Sequence, residues 1–193
     1  MQRIDTVYEA LKERIFQADY SPNQVITERE ICQTYGVSKV TAGEALHRLC
    51  HEGHLTAYPR TGYMVTALTP EDMLRVKRIR LALENLVVEI LCTEGTDAQI
   101  RSLYDYIVDT EQTKDNPSRL NRAFHGQMAR LTGDPFLIST LDNLLGAASR
   151  VEQYVAPDKQ KTWQDYHRAI VDAILARNLP LALEKLSLDL NQR

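Results

Sequence analysis

Apolar residues recur at helical spacing from the start of the chain. Between Asp5 and Ala18, Val7, Leu11 and Ile15 are spaced by four with Tyr8 beside them, which predicts an amphipathic helix ending at Tyr20-Ser21-Pro22-Asn23. The stretch from Thr27 to Leu49 predicts two short helices joined by a tight turn. Thr27 followed by Glu30 is a capping-box pattern, and Tyr35-Gly36-Val37 stops the helix that it starts. Ser38 is a good N-cap for the second helix, in which Ala42, Ala45, Leu46 and Leu49 form one buried stripe. Its other face, expected to be free, carries Lys39, Val40, Thr41, Gly43, His47 and Arg48. After Glu52-Gly53, the segment HLTAYPRTGYMVTAL predicts two strands around Pro59-Arg60-Thr61-Gly62. Three helices followed by a hairpin is the winged-helix arrangement: the second helix of the pair meets base edges and phosphates in the major groove, and Arg60 at the wing tip reaches the backbone or minor groove.

From Thr69 onward the pattern is helical with little strand signal. Thr69-Pro70, Asn116-Pro117 and Asp134-Pro135 each place a capping residue before a proline, which costs no hydrogen bond at the first helical position. Six helices are predicted, over 70–92, 97–113, 117–131, 135–155, 158–176 and 179–191. The expected fold is therefore mostly α: a winged helix-turn-helix over residues 1–68 and an all-α antiparallel six-helix bundle over 69–193.

Composition narrows the setting. The 193 residues, 44% of them hydrophobic, suit two small cores, and the net charge of -3 excludes a nonspecific polycation. The first 68 residues hold seven Lys or Arg against eight Asp or Glu, so DNA contact calls for a local patch, doubled by dimerisation. Three cysteines without a Cys-x-x-Cys suit free thiols in a reducing cytoplasm. Neither a membrane-spanning apolar run nor a signal-peptide pattern is present, which leads us to expect a cytoplasmic protein.

Over residues 5–66 the chain resembles the DNA-binding domain of the GntR family of bacterial transcription regulators. The resemblance is carried by Leu11 to Ile15, Ser21-Pro22 before Val25-Ile26, Glu28-Arg29-Glu30-Ile31, Tyr35-Gly36-Val37-Ser38, Glu44-Ala45-Leu46 with Leu49, Glu52-Gly53, and Gly62-Tyr63-Met64-Val65. It implies DNA contacts from Arg29, Lys39, Thr41, position 43 and the wing residues Arg60, Thr61 and Gly62; Ser38 and Arg48 stand on the same helix and join the candidate surface. Lys39 replaces the family's usual Arg and loses the planar fork that reads guanine, and Gly43 replaces a second, base-reading Arg.

In the bundle, several polar residues sit on apolar stripes. His167 shares a face with Trp163, Ile170 and Ile174; Asn121 and His125 flank Leu120, Phe124, Met128 and Leu131; Asp189 shares a face with Ala182 and Leu186. A carboxylate in an apolar core needs a cation or several donors. Two imidazoles, a carboxylate and an amide oxygen suit one divalent metal, and they equally suit a hydrogen-bonded core. Arg80 lies with Val76, Leu83 and Val87, either in an i, i+4 salt bridge with Glu84 or turned toward a ligand carboxylate. Arg150 and Tyr154, one turn apart, are further candidates for the same wall. His47, Cys50, His51 and His54 are close in sequence but are not expected to assemble, because His47 and His51 face solvent and His54 begins the next strand.

This part is similar to the FCD ligand-binding domain of the FadR subfamily, through Arg80-Leu81-Ala82-Leu83-Glu84, Asn121 to His125, Thr132-Gly133-Asp134-Pro135 and Asp165-Tyr166-His167. The resemblance implies a Zn- or Ni-type ion on Asn121, His125, His167 and Asp189, where Asn121 stands at the family's Asp position and Asp189 at its last His. It further implies a small organic acid effector near Arg80, operator DNA as partner, and a homodimer acting as a repressor. The alternative from another class is a metal-dependent enzyme built on His125, His167 and Asp189.

Overall fold

The first helix, α1 (Arg3–Phe16), buries Val7, Tyr8, Leu11, Ile15 and Phe16 on one side. It stops two residues earlier than its apolar spacing suggests, because Ala18 turns into the left-handed region (φ 58°) and the Asp19 N–H returns to the Arg14 carbonyl at 3.0 Å. A two-residue strand, β1 (Val25–Ile26), leads directly into α2 (Glu28–Tyr35), whose Thr27–Glu30 capping box is complete. Gly36 closes α2 at φ 62°, a backbone angle that favours glycine, and Ser38 caps α3 (Lys39–His51) by accepting from the Thr41 N–H at 3.2 Å.

Strands β2 (Leu55–Tyr58) and β3 (Gly62–Val65) form the expected hairpin. The sheet has a third member that the sequence reading lacks. Antiparallel β1 pairs with β3, giving the order β1-β3-β2 with Ile26 opposite Tyr63 and Tyr58 opposite Gly62. Gly62 (φ 131°) is where β3 comes tight against β1: a Cβ there would stand 2.7 Å from the Ile26 carbonyl oxygen. Two residues give no period to read, which is why β1 is invisible to pattern analysis.

The second part begins with α4 (Pro70–Thr93) and α5 (Asp97–Arg101). A continuous helix over 97–113 is not formed: after α5 the chain tightens into a 3-10 turn over Ser102–Tyr106, where the Ser102 hydroxyl donates to the Gln99 carbonyl at 2.6 Å. Then come α6 (Pro117–Leu131), α7 (Pro135–Val155), α8 (Trp163–Leu175) and α9 (Leu179–Asn191). The computed structural model describes residues 3–107, 116–155 and 163–191, the side chains of 152–155 apart; the remainder of the expected 97–113 helix and the start of the expected 158–176 helix lie outside the described residues.

The fold divides into two units, Met1–Thr69 and Pro70–Arg193, each with its own core. The first surrounds Leu11, Ile15, Ile31, Leu46 and Leu49, and the second surrounds Val88, Leu91, Phe124, Leu141, Ile170 and Leu186. Arg177, at φ 55° between α8 and α9, staples the second unit by donating to the Leu91 carbonyl at 2.9 Å and to Asp97 at 2.7 Å. No helix among the described residues is long and apolar enough to cross a membrane.

Glu52, at the end of α3, gathers α1 and the strand entry. It accepts from the Tyr8 hydroxyl at 2.5 Å and pairs with Lys12 at 3.5 Å and His54 at 3.4 Å. Burial first, then the bond to Glu52, push the Tyr8 phenol up to about 12. A phenol raised on folding stabilises the fold fully below its ordinary value of 10.0, and that contribution is lost as pH rises through about 12. Tyr8→Phe should therefore cost the first unit about 1.5 kcal/mol near neutral pH in chemical denaturation, with the gap to the wild type closing toward pH 12. A gap independent of pH would show that the bond does not carry the effect.

Candidate nucleic-acid interface and buried polar site

In the first unit, the exposed side of α3 begins with Lys39 and Val40, the latter 71% exposed. Thr41 bonds back to the Ser38 hydroxyl at 3.0 Å. Arg29 lies exposed on α2, and Arg60 and Thr61 are exposed at the hairpin tip, with Arg60 at φ 63° and the Thr61 N–H bound to the Tyr58 carbonyl at 3.1 Å. Arg29, Lys39, Val40, Arg60 and Thr61 are thus exposed on the helix pair and at the hairpin tip, where the sequence reading expects phosphate and base contact.

Two candidates have surroundings that the sequence does not disclose. Arg48 stacks on the Tyr8 ring, 3.9 Å from its centroid, and pairs with Asp5 at 3.0 Å, so its charge ties α3 to α1. Gly43, expected on the free face, is buried instead. Glu28, the first residue of α2, lies across it: a Cβ on Gly43 would meet the Glu28 Oε1 at 3.2 Å. Glu28 also pairs with Lys39 at 3.4 Å and accepts from the Tyr63 hydroxyl at 3.3 Å, while that hydroxyl lies 3.2 Å from His47 Nε2. Burial, and then Glu28, raise the Tyr63 phenol above its ordinary value.

In the second unit, four helices bring their polar residues together in the core. Arg80 and Glu84 come from α4, Asn121 and His125 from α6, His167 from α8 and Asp189 from α9, and each is at least 95% buried. Glu84 is the hub. One of its oxygens accepts from Arg80 Nε at 2.8 Å and the other lies 2.5 Å from His125 Nδ1. Burial alone would raise the Glu84 carboxyl, yet Arg80 and His125 hold it down at about 2. Burial likewise opposes charge on His125, but Glu84 and Asp189 on its two sides raise its pKa above the usual histidine value.

With Nδ1 engaged by Glu84, the His125 Nε2 faces Asp189 Oδ2 at 3.2 Å. His167 Nε2 lies 3.8 Å from Asp189 Oδ1 and 3.1 Å from Asn121 Oδ1. His167 itself is clamped by stacking on Phe124, centroids 3.8 Å apart, and by Trp163 at 5.0 Å. Bonds of about 2.1 Å to one divalent ion put neighbouring donors about 3.0–3.4 Å apart; the 3.2 Å and 3.1 Å spacings lie in that range, and the 3.8 Å between His167 and Asp189 would have to close slightly around the ion. The carboxylate on the far nitrogen of His125 is the outer-shell arrangement that fixes a ligating imidazole. Among the described residues, His125, His167 and Asp189 are the one group of three or more metal-ligating side chains that comes together, and the sequence cluster around His47 does not.

Arg80 does form the salt bridge with Glu84, and also leaves Nη2 without a hydrogen-bond partner among the described residues. Arg150 is buried on α7, and the Tyr154 side chain lies outside the described residues. Sequence reasoning treated Glu84 only as a partner of Arg80. Its pairing with His125, 41 positions away, could have been anticipated from the need of a buried imidazole on α6 for an acceptor.

A winged helix with an exposed recognition helix, in a chain whose second unit is a helical bundle with a buried polar centre, is the architecture of a DNA-binding transcription regulator. The model for bacterial regulatory proteins of the gntR family matches residues 3–65 and the FCD domain model matches residues 75–191, and the chain belongs to the GntR family with an FCD domain. It is 28% identical over 179 residues to the HTH-type transcriptional regulator YdhC of Bacillus subtilis, covering 89% of this chain and 80% of that one. It is 21% identical over 192 residues to the HTH-type transcriptional repressor GlaR of Escherichia coli, covering 92% and 87%. The solved structure of E. coli McbR/YncC shares the fold, with a TM-score of 0.88 at 18% identity over 100% of this chain and 95% of that one.

Removing Glu84 should leave Arg80 and His125 buried without their shared anion. Glu84→Ala is expected to lower the stability of the second unit by about 3–5 kcal/mol, the range for breaking a buried ion pair from one side. Thermal unfolding measures it, and a loss below about 1 kcal/mol would show that the hub is dispensable.

Proposed function

We propose that this regulator is a homodimeric repressor whose affinity for operator DNA is controlled by a small organic acid held in the FCD domain, with a divalent metal of the Zn or Ni type as part of the site. The observation that carries the reading is the buried meeting of His125, His167, Asp189 and Asn121 at 3.1 to 3.8 Å spacings. The GlaR relative is named a repressor, which supports the sign of regulation.

His125, His167, Asp189 and Asn121 would hold the ion, which when bound supplies a positive centre for a carboxylate. Glu84 keeps the His125 Nε2 pointed at the site, and the Phe124 and Trp163 rings hold His167 in place and exclude water. The Nη2 of Arg80 offers a donor to the acid, and the buried Arg150 is a further candidate for the same wall. Regulation then requires only that the acid bind one arrangement of the dimer more tightly than the other, and a coupling of about 1–3 kcal/mol is typical.

Elemental analysis of protein purified without chelator should give about one metal per chain in the wild type and a clear loss in His167→Ala. Light scattering should give a mass near twice that of the chain. Small carboxylates added to a DNA-retention assay should weaken binding by roughly 5- to 150-fold in the wild type and not in Arg80→Met. Metal-free wild-type protein would remove the metal from the proposal, and retention unchanged by any acid tried with metal-loaded protein would count against the effector.

A further inference from the structure

The outer face of α3 has an unusual occupant. Where a side chain at position 43 would project, the carboxylate of Glu28 from α2 lies instead, with its Oε1 3.2 Å from the place of a Gly43 Cβ. Positions 39, 43 and 47 are one face of the helix, and Glu28 or its hydroxyl partner touches all three: Lys39 directly, Gly43 by packing, and His47 through Tyr63. Glu28 keeps 28% of its side chain open to solvent, so it is fixed but not covered. A glycine inside a helix costs about 1 kcal/mol relative to alanine, and the cost here coincides with the room that the carboxylate occupies.

A carboxylate on a surface that faces DNA is repelled by phosphates and has no donor of its own. Its favourable partners there are the amino groups of bases in the major groove. Cytosine N4 is the better one, because its neighbour on the base is a C–H, whereas adenine N6 sits beside the N7 lone pair, which repels an anion. We propose that Glu28, set in place by Gly43, Tyr63 and Lys39, reads a cytosine amino group at one position of each operator half-site. The side chain that reads this base therefore comes from α2 and not from the recognition helix. The proposal rests on the DNA-binding role of the family and is independent of metal and effector.

Selection from a randomised duplex library, with sequencing of the bound pools, tests it on the full-length wild type, Glu28→Gln, Glu28→Ala and Gly43→Ala. The wild type should select cytosine at one symmetric position per half-site. The Glu28 variants should lose that preference by roughly 5- to 150-fold while their preferences elsewhere stay the same, the range for one specific base contact. Gly43→Ala, whose Cβ pushes on the carboxylate, should weaken the same position. A purely structural role for Glu28 would instead weaken every position together, and that result overturns the proposal. So do pools from the wild type and Glu28→Gln that cannot be distinguished. Melting curves confirm that each variant is folded, and the near-isosteric Gln variant decides the matter if Glu28→Ala is not.

Discussion

The second unit depends on the buried carboxylate of Glu84. Glu84 lies on α4, yet it answers the charge of Arg80 on its own helix and the imidazole of His125 on α6, so it joins two helices through groups that none of the surrounding leucines and valines could satisfy. Desolvating a carboxylate this completely is unfavourable by itself, and the cost is offset only because both of its oxygens are engaged. The same bond decides which nitrogen of His125 faces Asp189. Packing of the bundle and preparation of the polar centre are thus one event, and a change that loosens the first disturbs the second.

The head is organised differently, around convergence at the helix ends. Glu52 closes α3 against Tyr8, Lys12 and His54, and Arg48 adds a stacked and paired contact to Tyr8 and Asp5. These contacts hold α1 to the C-terminal end of α3, whereas Lys39 and Val40 stand at its start.

Most helices were legible because their signals are local. The Thr27–Glu30 box, the Ser38 cap and the prolines at 70, 117 and 135 mark starts by chemistry within a few residues, and the elements begin where those marks stand. What escaped was set by distant partners or by too few residues to make a pattern. The strand β1 exists because β3 lies beside it, and the helix expected over 97–113 yields to a tight turn where a serine hydroxyl takes a backbone carbonyl. In the polar centre, the burial of His125, His167 and Asp189 followed from their stripes, whereas the hub at Glu84 did not, since no helical period links residues 41 positions apart. Gly43 misled for a related reason: a missing side chain reads as empty space in sequence, and the space is filled from another helix.

The short strand β1 has a consequence for how the head can approach a duplex. Its last residue, Ile26, is paired with Tyr63 of β3 and is followed at once by Thr27, the cap of α2. The hairpin is therefore not an appendage swinging on a loop; it is bolted to the start of the helix pair through the central strand of the sheet. Whatever the helix pair and the hairpin touch together, they touch at one fixed spacing, set within the head itself.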